Sequence, residues 1–460
     1  MKKIRFIITL LLTKLIALGM KLLHRQASYL PGKIALKLCP DFLGHMGRAK
    51  TVIAVTGTNG KTTVSNLLTG ILRSNGYSVT NNSAGSNVDA GIASALIENS
   101  TLSGKSKNDI AVLEVDERSS PRIYPYYAPD YLVCNNIMRD SIKRNANTEF
   151  ISYIISSALP ASTVMLLNGD DIICSALGSK DNKKLYFGVE HLFGTEYYTH
   201  PGDVRDISYC PDCGAELVFD YTRYNHIGHV HCPKCGFKNA PLDYSAVKVD
   251  AGTKKLTVSV KGTEYDFRLI NDNIANIYNT TGAIGVLTEL GLTPEQIEKG
   301  LQEMKIVSSR FDRVEHNGIP ITLQLAKSQN PIACSRSVDY ARRSPGHNKS
   351  VIIIIDDIHE NVNNTENIGW LFDCSYAPLA DPSIRQVIIG GPRRHDHVVR
   401  CLFDGVDTAK VQTVEDIYDT AVLVDAASCD AVFIMYDLYL VKDARTIMNS
   451  VIEKLKEAGR

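Results

Sequence analysis

The stretch Val55-Thr56-Gly57-Thr58-Asn59-Gly60-Lys61-Thr62-Thr63 constrains this chain more than any other. An apolar run, Thr51 to Val55, leads into it, and a helical pattern, Thr62 to Asn75 closed by Gly76, leads out. Strand, glycine turn, Lys-Thr-Thr and helix together make a phosphate cradle. The two glycines let the backbone curl with its N–H groups inward, and the helix N-terminus adds partial positive charge. Lys61 reaches the terminal phosphates, and a threonine hydroxyl can hold Mg2+. Gly57, Thr58, Asn59, Gly60, Lys61, Thr62 and Thr63 are therefore candidate nucleotide contacts, with Thr62 the candidate magnesium ligand. The spacing departs from the ordinary Walker pattern, which needs glycine where Val55 stands.

The shorter form found here resembles that of the ATP-dependent Mur ligases and folylpolyglutamate synthases. At 460 residues the chain is expected to form about three domains. The 50 Lys and Arg balance 50 Asp and Glu, so charge gives no argument for a nucleic-acid partner. Four of the eleven cysteines lie in two tight pairs, which fits metal ligation in a reducing compartment better than a disulfide framework. The expected location is cytoplasmic.

Ile4 to Leu23 is apolar but interrupted by Arg5, Lys14 and Lys21. A cleaved signal has a longer unbroken centre, and a spanning helix does not favour burying Lys14. The expectation is an amphipathic helix packed on the protein or lying at the inner face of the membrane. Leu30-Pro31-Gly32-Lys33 is expected to break it before a short helix over Ile34 to Leu38.

From Thr51 to about Leu290, apolar runs (Thr51 to Val55, Ile110 to Val115, Tyr131 to Cys134, Thr163 to Leu167) alternate with helical patterns. That alternation predicts a mostly parallel sheet covered by helices. A second α/β unit is expected after Arg310, with strands at Val351 to Ile355, Gln386 to Ile389 and Ala431 to Met435 and a closing helix over Ile447 to Ala458.

Two further motifs carry chemistry. Glu114-Val115-Asp116-Glu117 puts three carboxylates at the end of a buried strand, where open α/β sheets bind ligands and where one carboxylate beside bound phosphates suffices for Mg2+. Cys210-Pro211-Asp212-Cys213 and Cys232-Pro233-Lys234-Cys235 form two knuckles whose four thiolates suit a closed structural Zn2+ site with no open catalytic position. His226, His229 and His231 between them are expected to be exposed loop histidines.

Set beside Asn135-Asn136-Ile137-Met138-Arg139-Asp140, Asn168-Gly169-Asp170-Asp171 and Tyr186-Phe187-Gly188, these motifs narrow the resemblance. The chain looks like the MurT family, Mur ligase-like synthetase subunits of lipid II isoglutaminyl synthase, over nearly its whole length. The resemblance implies an α/β fold. It implies an N-terminal amphipathic helical segment over residues 1–45 and a Mur ligase central ATP-binding domain with a mostly parallel sheet over 46–305. A four-cysteine zinc ribbon would be inserted at 206–240, and 306–460 would form a C-terminal Rossmann-like domain. It implies ATP-dependent amidation of the D-glutamate of the lipid II stem peptide, with ammonia from a GatD-type glutamine amidotransferase partner. It puts magnesium binding on Glu114, nucleotide contacts on Asn276 and Asn279, and a phosphate contact on Arg310. The partner's catalytic triad would be completed by an aspartate, for which Asp373 is the candidate and Asp356 and Asp357 the alternatives. The chain departs from the family pattern where Asn367 replaces an aspartate, at Lys327-Ser328-Gln329-Asn330-Pro331 and at Arg144-Asn145-Ala146. A stand-alone ligase adding an amino acid to an acidic acceptor is the alternative reading, and a non-catalytic ATP-dependent scaffold is a third.

Overall fold

A computed structural model describes residues 2–83, 86–140, 145–190, 205–304, 311–326, 330–356 and 365–460. These residues form two compact units. The first runs to residue 304, and the second covers 311–460 together with Arg139, Asp140, Asn145, Ala146, Arg205 and Asp206.

Eleven of the described strands belong to the first unit: β1 (Thr51–Thr56), β2 (Val79–Asn81), β3 (Ile110–Glu114), β4 (Tyr131–Cys134), β5 (Val164–Asn168), β6 (Lys184–Val189), β7 (Val218–Tyr224), β8 (Ile227–His231), β9 (Tyr244–Asp250), β10 (Lys255–Val260) and β11 (Thr263–Arg268). Nine make one sheet in the order β11-β10-β9-β6-β5-β4-β1-β3-β2. The pairs from β2 to β9 are parallel, and the β9-β10-β11 edge is antiparallel. The central strands β1, β3, β4 and β5 are buried along nearly their whole length, as parallel strands under helices on both faces must be. The helix Lys61–Ser74 buries Val64, Leu67, Leu68, Ile71 and Leu72, an apolar stripe at helical spacing. β7 and β8 form a separate antiparallel hairpin inserted between β6 and β9.

At the N-terminus, the helix Lys2–Leu22 buries Phe6, Thr9, Leu10 and Thr13. The break expected at Leu30-Pro31-Gly32-Lys33 is not there. The next helix spans Leu30–Leu38, with Pro31 in its first turn, where a missing N–H costs nothing. Gly32 lies inside it because a Cβ there would fall 1.9 Å from Ala90 O, and its N–H donates instead to Ser94 Oγ at 2.8 Å.

The second unit holds β12 (Phe311–His316), β13 (Ile319–Leu325), β14 (Lys349–Ile354), β15 (Ile384–Gly390), β16 (Val411–Val414) and β17 (Ala431–Tyr436) in the order β12-β13-β17-β14-β15-β16. The β12-β13 hairpin is antiparallel and the other pairs of this sheet are parallel. The final helix begins at Val441, earlier than expected, and packs Ala444, Ile447, Met448, Val451 and Leu455 inward.

Candidate active site

The chain leaves β1 between β3 on one side and β4 on the other, and later strands build outward in both directions. The carboxyl end of β1 is thus a topological switch point, where open α/β sheets form their ligand crevice. The phosphate loop sits there. Gly57 and Gly60 have φ of +117° and +89°, a region that side chains disfavour. A Cβ on Gly60 would lie 2.3 Å from Asn279 Oδ1 and 2.4 Å from Asn135 Nδ2, two groups that bond each other at 2.7 Å.

The segment after β4 pins the loop from below. The Thr58 N–H donates to Asn136 O at 2.9 Å and the Asn59 N–H to Asn136 Oδ1 at 2.8 Å. The Thr58 hydroxyl donates to Met138 O and accepts from the Met138 N–H at 2.9 Å. Thr58 is buried, while Thr62 is exposed and Thr63 half-buried in the first turn of the helix.

An ion pair and a hydroxyl–carboxylate pair stand side by side at the loop. Lys61 Nζ lies 2.8 Å from Glu117 Oε1 and also donates to Gly57 O at 2.5 Å. Burial alone would lower the lysine's pKa, but Glu117, with Glu114 and Asp116 adding to it, holds the ammonium above its ordinary value. Beside it, the Thr62 hydroxyl donates to Glu114 Oε2 at 2.9 Å. Asn87 Nδ2 reaches Glu114 Oε1 at 3.3 Å, and Asn82 fixes the Glu114 backbone with bonds to its N–H (2.8 Å) and carbonyl (2.9 Å). Thr62 and Glu114, named from sequence as magnesium ligands, are therefore adjacent oxygen donors of the kind Mg2+ prefers. Sequence reasoning saw Glu117 only as one of three acids, quoted Asn135 only within a motif that carries the resemblance, and missed Asn82 and Asn87.

Asn279 is buried against the phosphate loop through Asn135, with Asn276 one turn earlier on the helix Ile274–Glu289. Arg310 and Asp357 lie outside the described residues. Asp356 is buried just beyond β14. Asp373 ends the 3-10 helix Thr365–Asp373 within the second unit, half-buried, with Arg139 Nη1 3.8 Å from its carboxylate. Burial raises its pKa, and the Arg139 charge works against that.

The four cysteines converge as expected, with all four sulfurs within 4.8 Å of one another. Cys210 and Cys235 are 3.5 Å apart, as are Cys213 and Cys232, much too far for disulfides. A tetrahedron with Zn–S bonds of about 2.3 Å has edges of roughly 3.8 Å, so the donor set fits zinc. The two knuckles repeat one turn: Gly214 N–H to Cys210 O at 2.9 Å and Gly236 N–H to Cys232 O at 3.0 Å.

The histidines between the knuckles depart from expectation. His226 is fully buried and bonds Asp171 Oδ1 at 3.0 Å, while His229 reaches Asp170 Oδ1 at 3.5 Å. Asp171 also accepts the N–H of Ile137, and Asp170 accepts the Tyr278 hydroxyl at 2.5 Å. The inserted hairpin is thereby tied to the segment that pins the phosphate loop and to the helix carrying Asn279.

Known proteins resemble this chain in sequence and in fold. Residues 55–201 match the model of the Mur ligase middle domain, and residues 327–437 match that of the MurT ligase C-terminal domain. The chain is 30% identical to the lipid II isoglutaminyl synthase (glutamine-hydrolyzing) subunit MurT of Staphylococcus aureus (strain COL), over 88% of this chain and 90% of that protein. It is 28% identical to the subunit of the same name from Streptococcus pneumoniae (strain ATCC BAA-255 / R6), over 92% and 93%. Among solved structures, a pseudomurein peptide ligase type C from Methanothermus fervidus superposes with a TM-score of 0.68 at 20% identity, covering 90% of this chain and 81% of that one. MurF from Acinetobacter baumannii gives 0.62 at 15%, covering 92% and 80%. These two likenesses establish a Mur ligase fold.

Proposed function

The chain belongs to the MurT family of Mur ligase-like enzymes, and on that premise we propose that it is the ATP-consuming synthetase subunit of a lipid II isoglutaminyl synthase. Its substrate would be the D-glutamate α-carboxylate of the lipid II stem peptide and its product D-isoglutamine. The observation that carries this reading is the Lys61, Thr62 and Glu114 cluster at the switch point of the first sheet.

In the first step a carboxylate oxygen attacks the γ-phosphorus of ATP, the bond to the bridging oxygen breaks, and ADP leaves with that electron pair. The loop N–H groups and Lys61 offset charge at the transferring phosphoryl group. A magnesium ion bound by Thr62 and Glu114 would neutralise phosphate charge there. In the second step ammonia attacks the acyl phosphate carbon, the C–O bond breaks, phosphate departs, and the nitrogen gives up a proton. The ammonia would come from a GatD-type glutamine amidotransferase, with Asp373 orienting the histidine of that partner's Cys-His pair.

This reading assigns the ATP chemistry to residues 46–305 and partner docking to 306–460. Within 206–240, Cys210, Cys213, Cys232 and Cys235 would hold a structural Zn2+ that braces the β7-β8 hairpin. A lipid-linked substrate and ATP meet at the cytoplasmic face of a membrane, which is where the enzyme would work.

The test is phosphate release and product mass with purified chain, lipid II, ATP, Mg2+ and either ammonium or glutamine plus the amidotransferase. Conversion of the carboxylic acid to its amide, abolished in Lys61→Ala, supports the reading. Ligation of an amino acid without amidation would overturn it.

A further inference from the structure

We propose that the outward face of the helix Lys2–Leu22 docks this protein on an anionic bilayer surface. Ile4, Ile8, Leu11, Leu15, Leu18 and Leu22 recur at alternating spacings of four and three and form one stripe, widened by Leu12. Ile4, Ile8, Leu15 and Leu22 are between 62% and 74% exposed. An uninterrupted apolar stripe of this kind on a soluble domain marks an interaction site.

The rotation of the helix is fixed. Phe6, Thr9, Leu10 and Thr13 are buried on the opposite side, and Phe6 packs against Phe42 with ring centroids 5.2 Å apart and the rings tilted. Lys14 Nζ donates to Ser100 O at 2.8 Å and also to Ile97 O, at the end of the helix Asp89–Glu98. The apolar stripe is therefore held outward by the fold, and Lys14 is spent on holding it.

Charge selects the occupant. The first 40 residues contain eight Lys and Arg and no Asp or Glu, although the whole chain is balanced. Lys2, Lys3, Arg25, Lys33 and Lys37 are exposed. No helix among the described residues is long and apolar enough to cross a membrane, so the stripe would lie on a bilayer, its side chains entering the acyl boundary and its cations meeting phosphate headgroups.

A second copy is the competing occupant, because the spacing is also that of a coiled-coil seam. Flanking positions on such a seam normally carry opposite charges that pair across it. Here they are Ile7, Lys14 and Lys21 on one side and Arg5, Leu12 and Gly19 on the other, none of them acidic, so two copies would form no such pair. The proposed surface lies within residues 2–40, and its failure would leave the reading of the ATP site untouched.

The experiment is co-sedimentation of the full chain with phosphatidylcholine vesicles, with and without phosphatidylglycerol, at low and high salt. We expect binding to the anionic vesicles that weakens with salt, little binding to neutral ones, and a drop of roughly tenfold or more in partitioning for the double variant Ile8→Asp, Leu15→Asp. Lys2→Glu with Lys3→Glu should weaken binding to the anionic vesicles while leaving the circular dichroism spectrum and ATP hydrolysis unchanged. The proposal is overturned if the wild type stays in the supernatant, binds neutral vesicles equally well, or binds no less after either pair of substitutions. A light-scattering dimer dissolved by Leu15→Asp, with no vesicle binding, would assign the stripe to a second copy.

Discussion

Lys61 and Glu117 form an ion pair in the phosphate site, Nζ to Oε1 at 2.8 Å, with side chains only 13% and 2% exposed. The carboxylate is the lysine's ion-pair partner within the fold itself, with Glu114 and Asp116 adding to its field. A nearly buried ammonium without a counterion is costly, and removing one partner of such a pair typically costs more than the pair contributes.

Glu117→Gln should therefore destabilise the nucleotide-free protein by about 1–3 kcal/mol, since the amide oxygen still accepts a hydrogen bond but supplies no charge. ATP with Mg2+ would then restore the missing anion, so the rise in melting temperature on adding nucleotide should be larger in the variant than in the wild type. Differential scanning fluorimetry with and without ATP reads both effects. Equal shifts in the two proteins would mean Glu117 is a packing residue only.

Asn82 tests how far the orientation of Glu114 matters. Its amide bonds both the N–H and the carbonyl of Glu114, and among the described residues its side-chain hydrogen bonds go to Glu114 and Ser86 rather than to a group proposed to meet ATP. Groups that orient a metal ligand typically contribute 10–100-fold to affinity or rate. For Asn82→Ala the Mg2+ concentration giving half-maximal ATP turnover should rise roughly tenfold, with the KM for ATP at saturating Mg2+ changed much less. A titration of rate against Mg2+ separates this from a general loss of folding.

Much of the site was legible because it is local. The glycines, Lys61 and Thr62 lie within a few residues, and strand, turn and helix each announce themselves by periodicity. Glu117 was not legible as the lysine's partner, because the selection among three neighbouring acids is made by a 3-10 turn in which Asp116 accepts the Arg118 N–H. His226 read as a loop residue because its partner Asp171 is 55 residues away in sequence, and burial of that pair depends on docking the inserted hairpin onto the sheet. Gly32 misled for a related reason. A glycine in a short Pro-Gly segment signals a break locally, whereas here a neighbouring helix backbone 1.9 Å from the missing Cβ demands it.

The cysteine cluster should hold one Zn2+ per chain, measurable by mass spectrometry under native conditions or by a chromophoric chelator after denaturation. Cys213→Ser should lose the metal and expose the β7-β8 hairpin to proteolysis between β6 and β9. The buried Asp170 and Asp171 contacts then lose their hairpin partners, so ATP turnover should fall as well. Full metal content in Cys213→Ser would remove the four-cysteine assignment.

His397 gives the second unit a pH dependence of definite sign. The ring is fully buried; Nε2 donates to Ile355 O at 2.9 Å and Nδ1 accepts the Tyr376 hydroxyl at 2.7 Å, which fixes the neutral tautomer. Burial lowers its pKa to about 4, against an ordinary value of about 6.5 in the unfolded chain. Above pH ~6.5 both states leave the ring neutral, and its titration contributes nothing. As pH falls from ~6.5 to ~4 the unfolded chain takes up a proton that the folded ring refuses, so stability is lost across that window, by on the order of 3 kcal/mol. The chain's single tryptophan, Trp370, is buried with its ring centroid 6.5 Å from that of His397, so its fluorescence follows unfolding at this place. Urea unfolding read by Trp370 should show His397→Gln less stable than wild type at pH 7.5, by about 1–2 kcal/mol for the weakened hydrogen bonds. The difference should shrink as pH approaches 5, because the glutamine carries no proton linkage. Parallel pH curves for the two proteins would mean that His397 titrates alike in the folded and unfolded states.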